Sequence, residues 1–284
     1  MNLVCLNGEF LPAEEARVSI FDRSFLYGDG LFETLRVYAR RPFAWAEHLD
    51  RLEQAAEKIG IRIPPTRDQL YAAALDLLQR NGQTEAILRI QISRGQGARG
   101  YSPRGATSPV WVVTTHPATS QDPAHPTRWR LMTASMRLAE ADPLNRLKSS
   151  SKLLQVLARA EAESRGSNEA VLLDPHGHVI EGSSSNIFWF SGRHLITPPV
   201  DSGALPGITR ATVLRLAPNL GFVTEERLGT RDELHAADGV FLTLSSLELV
   251  TAETLDGVAL RESPDTRTLH EAYQRLTRSP DGPH

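Results

Sequence analysis

The sequence predicts an α/β protein built from two domains, and three observations predict it. The chain has 284 residues, more than one hydrophobic core usually organises. Segments of helical and of strand periodicity are mixed from end to end, with no internal repeat. One stretch, "PATSQDPAHPT", carries three prolines among small polar residues and reads as a connection between domains. The expected partition is an N-terminal domain at 1–117, a linker at 118–127 and a C-terminal domain at 128–284, with a cleft between the domains.

Each element follows from its local pattern. "LVCLNGEF" reads as a strand and a turn, and "GLFETLRVYARRPFAW" as two strands joined at Arg40-Arg41-Pro42. "WAEHLDRLEQAAEKIGI" puts Leu49, Leu52, Ala56 and Ile59 at helical spacing. "RDQLYAAALDLLQRNG" is a second helix stopped by Asn81-Gly82. "EAILRIQIS" and "PVWVVTTH" are expected strands, and beyond the linker "RWRLMTASMRL" alternates as another. "KLLQVLARAEAESRG" is helical, and "EAVLLD", "VIEG", "NIFWF" and "HLITP" are short strands. "TRATVLRLAPNL" is a helix, "GVFLTLSS" a strand and "TRTLHEAYQRLT" a closing helix.

Composition narrows the function. Apolar residues make up 40% and charged residues 23%, as in ordinary soluble proteins. A net charge of −3 argues against a nucleic-acid partner held by bulk charge. No apolar run approaches the roughly 18 residues of a membrane span, and "MNLVCLNGEF" lacks the pattern of a secretory signal. Cys5 is the only cysteine, which excludes an internal disulfide and suits a reducing cytoplasm; it reads as a small buried hydrophobe. The nine histidines form no ligand-spaced cluster with cysteine, so no metal is expected, and "DPHGH" reads as a hairpin turn.

Several short stretches could carry chemistry. "GQGARG" matches a dinucleotide fingerprint in spacing, yet it runs into "YSPRG", where Pro103 and Gly105 block the helix that such a site requires. It reads instead as a flexible loop presenting Arg99 and Tyr101. "GALPGITRATVLRL" places the free amides of Ile208 and Thr209 at a helix start, where an anion is favoured. Arg51 sits in "HLDRL", Ser245 and Ser246 end a strand in "LTLSSLE", and Glu181 ends a strand in "VIEGSSSNIFWF".

The order of "FLYGDGLFETLRV", "HLDRL", "SRGQGARGYSP", "LKSSSKLLQVLARAEA", "EGSSSNIF", "GITR" and "LSSLELV" resembles the class IV fold of pyridoxal-phosphate enzymes over nearly the whole chain. That family includes branched-chain and D-amino-acid aminotransferases and 4-amino-4-deoxychorismate lyase. The resemblance implies a two-domain fold with the active site in the interdomain cleft, pyridoxal 5'-phosphate as cofactor, and a homodimer. An ungapped match through "LQVLARAEA" identifies Lys148 as the lysine that joins the cofactor aldehyde and then acts as base. Lys152 is expected inside the first helical turn, where the dipole disfavours a cation, and remains a minor rival. The resemblance assigns Glu181 to the cofactor ring nitrogen, and Arg51, the amides of Ile208 and Thr209, and Ser245 to its phosphate. Ser246 contacts the phosphate or the substrate side; Ser184, Ser185 and Asn186 lie near the ring face or the phosphate side.

The glycine-arginine loop looks closely like that of aminodeoxychorismate lyases, so the expected activity is a pyridoxal-phosphate-dependent 4-amino-4-deoxychorismate lyase, releasing p-aminobenzoate and pyruvate in folate biosynthesis. Arg99 is the expected contact for a substrate carboxylate, with Tyr101 as a neutral donor and Phe32 on the substrate side. An aminotransferase is the alternative, the D-amino-acid type ahead of the branched-chain type. The expected partner is therefore a small amino substrate bearing a carboxylate, with neither nucleic acid nor membrane.

Overall fold

The structure is a computed structural model describing residues 2–139, 142–279 and 282–283. The chain forms two compact units. One comprises Met1–Ala118, Leu147–Lys152 and Pro280–His284, and the other Thr119–Arg146 and Leu153–Ser279.

The first unit holds β1 (Leu3–Leu6), β2 (Glu9–Pro12), α1 (Arg23–Tyr27), β3 (Gly30–Tyr38), β4 (Arg41–Pro42), α2 (Trp45–Ile59), α3 (Arg67–Arg80), β5 (Ala86–Ser93) and β6 (Val110–His116). Its six strands lie in the order β2-β1-β6-β5-β3-β4, every neighbouring pair antiparallel. Alternation sorts β5 into two faces. Ala86, Leu88, Ile90 and Ile92 are buried, while Arg89 and Gln91 face the other way, half-buried. The apolar face packs with Leu49, Leu52 and Ala56 of α2 and Leu70, Leu77 and Leu78 of α3. A reciprocal cap between Thr66 and Gln69 starts α3, and Gly60, at φ 65°, ends α2. The β3–β4 turn falls on Ala39 and Arg40, at φ 48° and 63°, one residue earlier than expected.

The second unit holds β7 (Arg128–Arg137), α4 (Leu153–Ser164), β8 (Glu169–Leu173), β9 (Val179–Gly182), β10 (Asn186–Ser191), β11 (His194–Thr197), α5 (Ile208–Leu216), β12 (Val223–Glu226), α6 (Arg231–Ala236), β13 (Gly239–Leu244), β14 (Glu248–Leu255), β15 (Val258–Ala259) and α7 (Pro264–Arg278). Its sheet runs β12-β11-β10-β13-β14-β7-β8-β9, with β15 added to β14. The β11–β12, β14–β7 and β7–β8 pairs are parallel. Strand β8 is buried throughout, as a sheet covered on both faces requires. Phe188 and Phe241 stack across β10 and β13 with centroids 5.1 Å apart.

Three expectations need correction. Residues 119–127 are not a free linker: Gln121 is buried, its carbonyl accepts from Gln274 of α7, and its side chain accepts from Thr127. Residues 147–152 belong with the first unit rather than with the C-terminal stretch. They run beside β3, with Phe32 N donating to Lys148 O at 2.9 Å and Ser150 N to Gly30 O at 2.8 Å. Lys152 lies before α4, which begins at Leu153, so it is not in a helical turn. Sequence patterns also missed β2, α1, α6, β12, β14 and β15. Strand β14 escaped notice because Ser245 and Ser246 look like a polar end, whereas a turn through Glu248 at φ 61° sends the chain straight back onto β13. Among the described residues no helix is long and apolar enough to cross a membrane.

Phe241→Ala removes a ring that is fully buried between Phe188 and Phe190. We expect a loss of about 3–5 kcal/mol in the second unit, read as a lower denaturant midpoint for its unfolding transition.

Candidate active site

In the first unit, neighbouring strand and helix positions converge on one carboxylate. Glu33 of β3 is fully buried. Its Oε1 accepts from Arg51 Nε at 2.8 Å, and its Oε2 accepts from Arg51 Nη2 at 2.6 Å and meets His48 Nδ1 at 2.6 Å. His48 and Arg51 sit three apart on α2, one turn and one face. Burial alone would raise the Glu33 carboxyl, but the charge of Arg51 and the bond to His48 hold it down to about 2. Burial pushes His48 below the usual histidine range against the pull of Glu33, so the ring stays neutral.

Lys148 stands beside this set, half-buried. Its Nζ lies 4.7 Å from the centre of the Phe32 ring, and the Arg89 guanidinium is 3.9 Å from the same centre. Burial, then the charge of Arg51, lower the ammonium from 10.5 to about 8; Glu33 resists, and Lys152 and Arg89 push the same way as Arg51. About half of the side chain is thus free amine near pH 8, which a nucleophile or base requires.

In the second unit the two most specific motifs meet. Glu181 is buried at the end of β9, and its Oε2 accepts from Leu205 N at 2.8 Å and from Asn186 Nδ2 at 3.5 Å. Asn186 also donates to Leu205 O at 2.9 Å. Its Oδ1 lies so close to Gly207 that a Cβ there would come within 2.0 Å of it, so only glycine fits before α5. Among the described residues no side chain caps α5, and its first internal bond is Ala211 N to Gly207 O, so the amides of Ile208 and Thr209 come before the ladder. Thr243, opposite Asn186 on β13, is buried, and its Oγ1 meets no partner among the described residues. Ser245 and Ser246 are half-buried in the following turn. These groups fit a phosphorylated, ring-bearing cofactor: uncapped helix amides and hydroxyls suit an anion, and a held carboxylate suits a ring nitrogen.

Ser184 and Ser185 turn elsewhere. Ser183, Ser184 and Ser185 all donate to the fully buried Glu169, with Ser184 Oγ to Oε2 at 2.7 Å and Ser185 Oγ at 3.3 Å. They satisfy that carboxylate's acceptors, with Arg159 Nη1 3.9 Å from Oε2, and shape the turn between β9 and β10. Arg99 is exposed, and Tyr101 is 86% exposed, its ring edge-on to Tyr27 at 5.5 Å. Sequence reasoning missed Glu33, His48, Arg89, Glu169 and Thr243. A signal existed for two of them, since a glutamate amid the apolar positions of β3 and a histidine three before Arg51 each call for a buried partner.

Replacing Glu33 by Gln removes an anion that supports the Lys148 ammonium. Competitive acetylation of Lys148 across pH, read by mass spectrometry, should give a midpoint near 8 in the parent protein and a lower one in Glu33→Gln.

Comparison with known proteins follows the same lines. The amino-transferase class IV family matches residues 30–253. A candidate branched-chain-amino-acid aminotransferase of Methanocaldococcus jannaschii is 37% identical over 89% of this chain and 88% of its own. The crystal structure of the Escherichia coli branched-chain amino acid aminotransferase superposes with a TM-score of 0.90 at 29% identity, covering 97% of this chain and 94% of that one. A candidate 4-amino-4-deoxychorismate lyase of Legionella pneumophila superposes with a TM-score of 0.85 at 28% identity, covering 93% and 96%. The two sheets, the lysine beside β3 and these matches lead to one conclusion: the chain belongs to the class IV aminotransferase family, whose cofactor is pyridoxal 5'-phosphate.

Proposed function

We propose that the protein is an aminotransferase that moves the amino group of an amino acid, with Lys148 as cofactor anchor and base. The observation that carries this reading is the placement of Lys148 beside β3, its Nζ 4.7 Å from the Phe32 ring centre and near the buried Glu33–Arg51–His48 set; burial and Arg51, which lower its amine to about 8, support it. The names of the relatives favour aminotransfer over other reactions of the family. Pyridoxal 5'-phosphate, when bound, supplies an aldehyde that takes up amines and a ring that accepts the electron pair of the substrate α-carbon.

The chain's own residues do the rest. Lys148 Nζ, as free amine, takes the α-proton, and in aminotransfer it delivers a proton back at a different carbon. Glu181, oriented by Leu205 N and Asn186, would face the ring nitrogen and keep it protonated. Arg51, the amides of Ile208 and Thr209, Ser245 and Ser246 would hold the phosphate, with Thr243 as a further hydroxyl donor. Arg51 would serve two anions at once, since its guanidinium already bonds Glu33 and carries five donors. Phe32 would flank the substrate beside Lys148, and Arg99 and Tyr101 would take a substrate carboxylate.

A second reading is 4-amino-4-deoxychorismate lyase. The loop that exposes Arg99 and Tyr101 favours it, because that substrate carries two carboxylates, and the likeness to the Legionella protein adds weight. The reactions part after the α-proton leaves: pyruvate departs in the lyase, and the ring left behind becomes aromatic. We further propose a cytoplasmic homodimer. Phe21, Phe25 and Leu26 stand exposed on and beside α1, and Leu153, Val156 and Leu157 form an exposed apolar face on α4.

Two assays decide between the reactions. D-alanine or L-leucine with 2-oxoglutarate should yield glutamate, and Lys148→Ala should abolish both turnover and the near-visible absorbance of the loaded protein. Release of p-aminobenzoate and pyruvate from aminodeoxychorismate, without glutamate formation in the first assay, would replace aminotransfer by the lyase reading. Light scattering should give twice the chain mass, and Phe25→Asp should reduce it.

A further inference from the structure

Arg23 is a buried cation on the short helix α1, 4% exposed, and no motif in the sequence draws attention to it. Its bonding is unusual in one respect. Nη1 donates to Gly100 O at 3.0 Å and to Ser102 O at 3.1 Å, and Nη2 donates to Tyr101 O at 3.0 Å. Three consecutive carbonyls of the glycine-arginine loop thus end on one guanidinium. Nε donates to Asp29 at 2.7 Å, so four of the five N–H donors are in use. The guanidinium also lies 5.0 Å from the centre of the Tyr27 ring, the ring that Tyr101 meets edge-on.

The loop is shaped to allow this. A Cβ at Gly97 would come within 3.2 Å of Arg23 Cδ, and a Cβ at Gly95 within 1.9 Å of Ser108 O, at a φ of 85°. Gly100, at φ 100°, turns the chain directly before Tyr101. Arg94 ties the clamp to the rest of the site. It donates to the same Asp29 oxygen at 2.8 Å, and to Gly60 O and Ile59 O at 2.7 and 2.8 Å, at the end of the helix that carries His48 and Arg51.

We propose that Arg23 is a positioning residue for substrate recognition, fixing the backbone at 100–102 so that Arg99 and Tyr101 are held ready for a substrate carboxylate. This rests on the reading of Arg99 given above. The three carbonyls and Asp29 make four acceptors, more than the three donors of an ammonium can meet and within the five of a planar guanidinium. A loop of this length with its glycines would otherwise sample many conformations, and each bound substrate would have to order it.

The test uses the full-length holoenzyme and the variants Arg23→Gln, Arg23→Lys, Arg99→Ala and Arg23→Gln with Arg99→Ala. Hydrogen exchange should show the amides of residues 98–102 opening at least about tenfold faster in both Arg23 variants, with the core of β5 unchanged. KM for 2-oxoglutarate, or for aminodeoxychorismate if that is what turns over, should rise about tenfold with kcat within about twofold. The double variant should add little to Arg99→Ala, because the two residues act through one contact. Arg23→Lys keeps the charge beside Asp29, so it tests the clamp if Arg23→Gln does not fold. Unchanged loop exchange in the folded variants overturns the proposal, as does a loosened loop with unchanged KM while Arg99→Ala raises KM. If Arg99→Ala leaves KM unchanged, the reading of Arg99 fails and the recognition role of Arg23 fails with it, while the exchange data still report the clamp.

Discussion

The buried carboxylate of Glu33 is the constraint on which the arrangement around Lys148 depends. A carboxylate without partners at that depth would be costly, and here two side chains of α2 meet it, Arg51 through both oxygens. The arrangement fixes the rotation of α2 against β3 and holds Arg51 in a single pose, while burial lowers His48 against the pull of Glu33. It also sets the charge around Lys148: burial first, then Arg51 with smaller pushes from Lys152 and Arg89, lowers the ammonium, and Glu33 opposes them, leaving it at about 8. A lysine base useful near neutral pH is thus the balance of one anion against several cations in a partly dry site.

The second unit solves a related problem with different chemistry. Glu169 is also fully buried, yet it is met chiefly by three serine hydroxyls and the amides of Ala170, Ser183 and Ser184, with Arg159 only at 3.9 Å. That set of bonds folds the serine run into a compact turn and delivers Asn186 to the start of β10. Asn186 in turn bonds Glu181 and the chain at Leu205, and its close approach to Gly207 fixes the entry to α5. The serines that look from the sequence like ligands support the backbone around them. Small and polar residues in a motif often serve the backbone of a site rather than its occupant.

Much of the fold was legible. Helices α2, α3, α4, α5 and α7 follow from apolar spacing and stop signals, and the strands that bear alternating or continuous apolar runs follow from period two. What escaped was short or disguised. Helix α1 has five residues and exposes Phe25, so it carries no amphipathic signature. Strand β14 hid behind the polar turn at Ser245-Ser246, and the proline-rich stretch after Ala118 read as a linker although Gln121 is buried against α7.

The sequence by itself determined the family, through the order of "HLDRL", the lysine before "LLQVLARAEA", "EGSSSNIF" and "GITR", because these segments place specific side chains at helix starts and strand ends. Through the family resemblance, an ungapped match over "LQVLARAEA" also singled out Lys148 over Lys152 as the candidate. Tertiary structure alone decided what surrounds that lysine. Lys148 stands 115 residues from Glu33 and 97 from Arg51 in the chain, and only the packing of residues 147–152 beside β3 brings their charges together. The clamp of Arg23 on Gly100, Tyr101 and Ser102 belongs to the same category, as a contact between segments whose local patterns say nothing of each other.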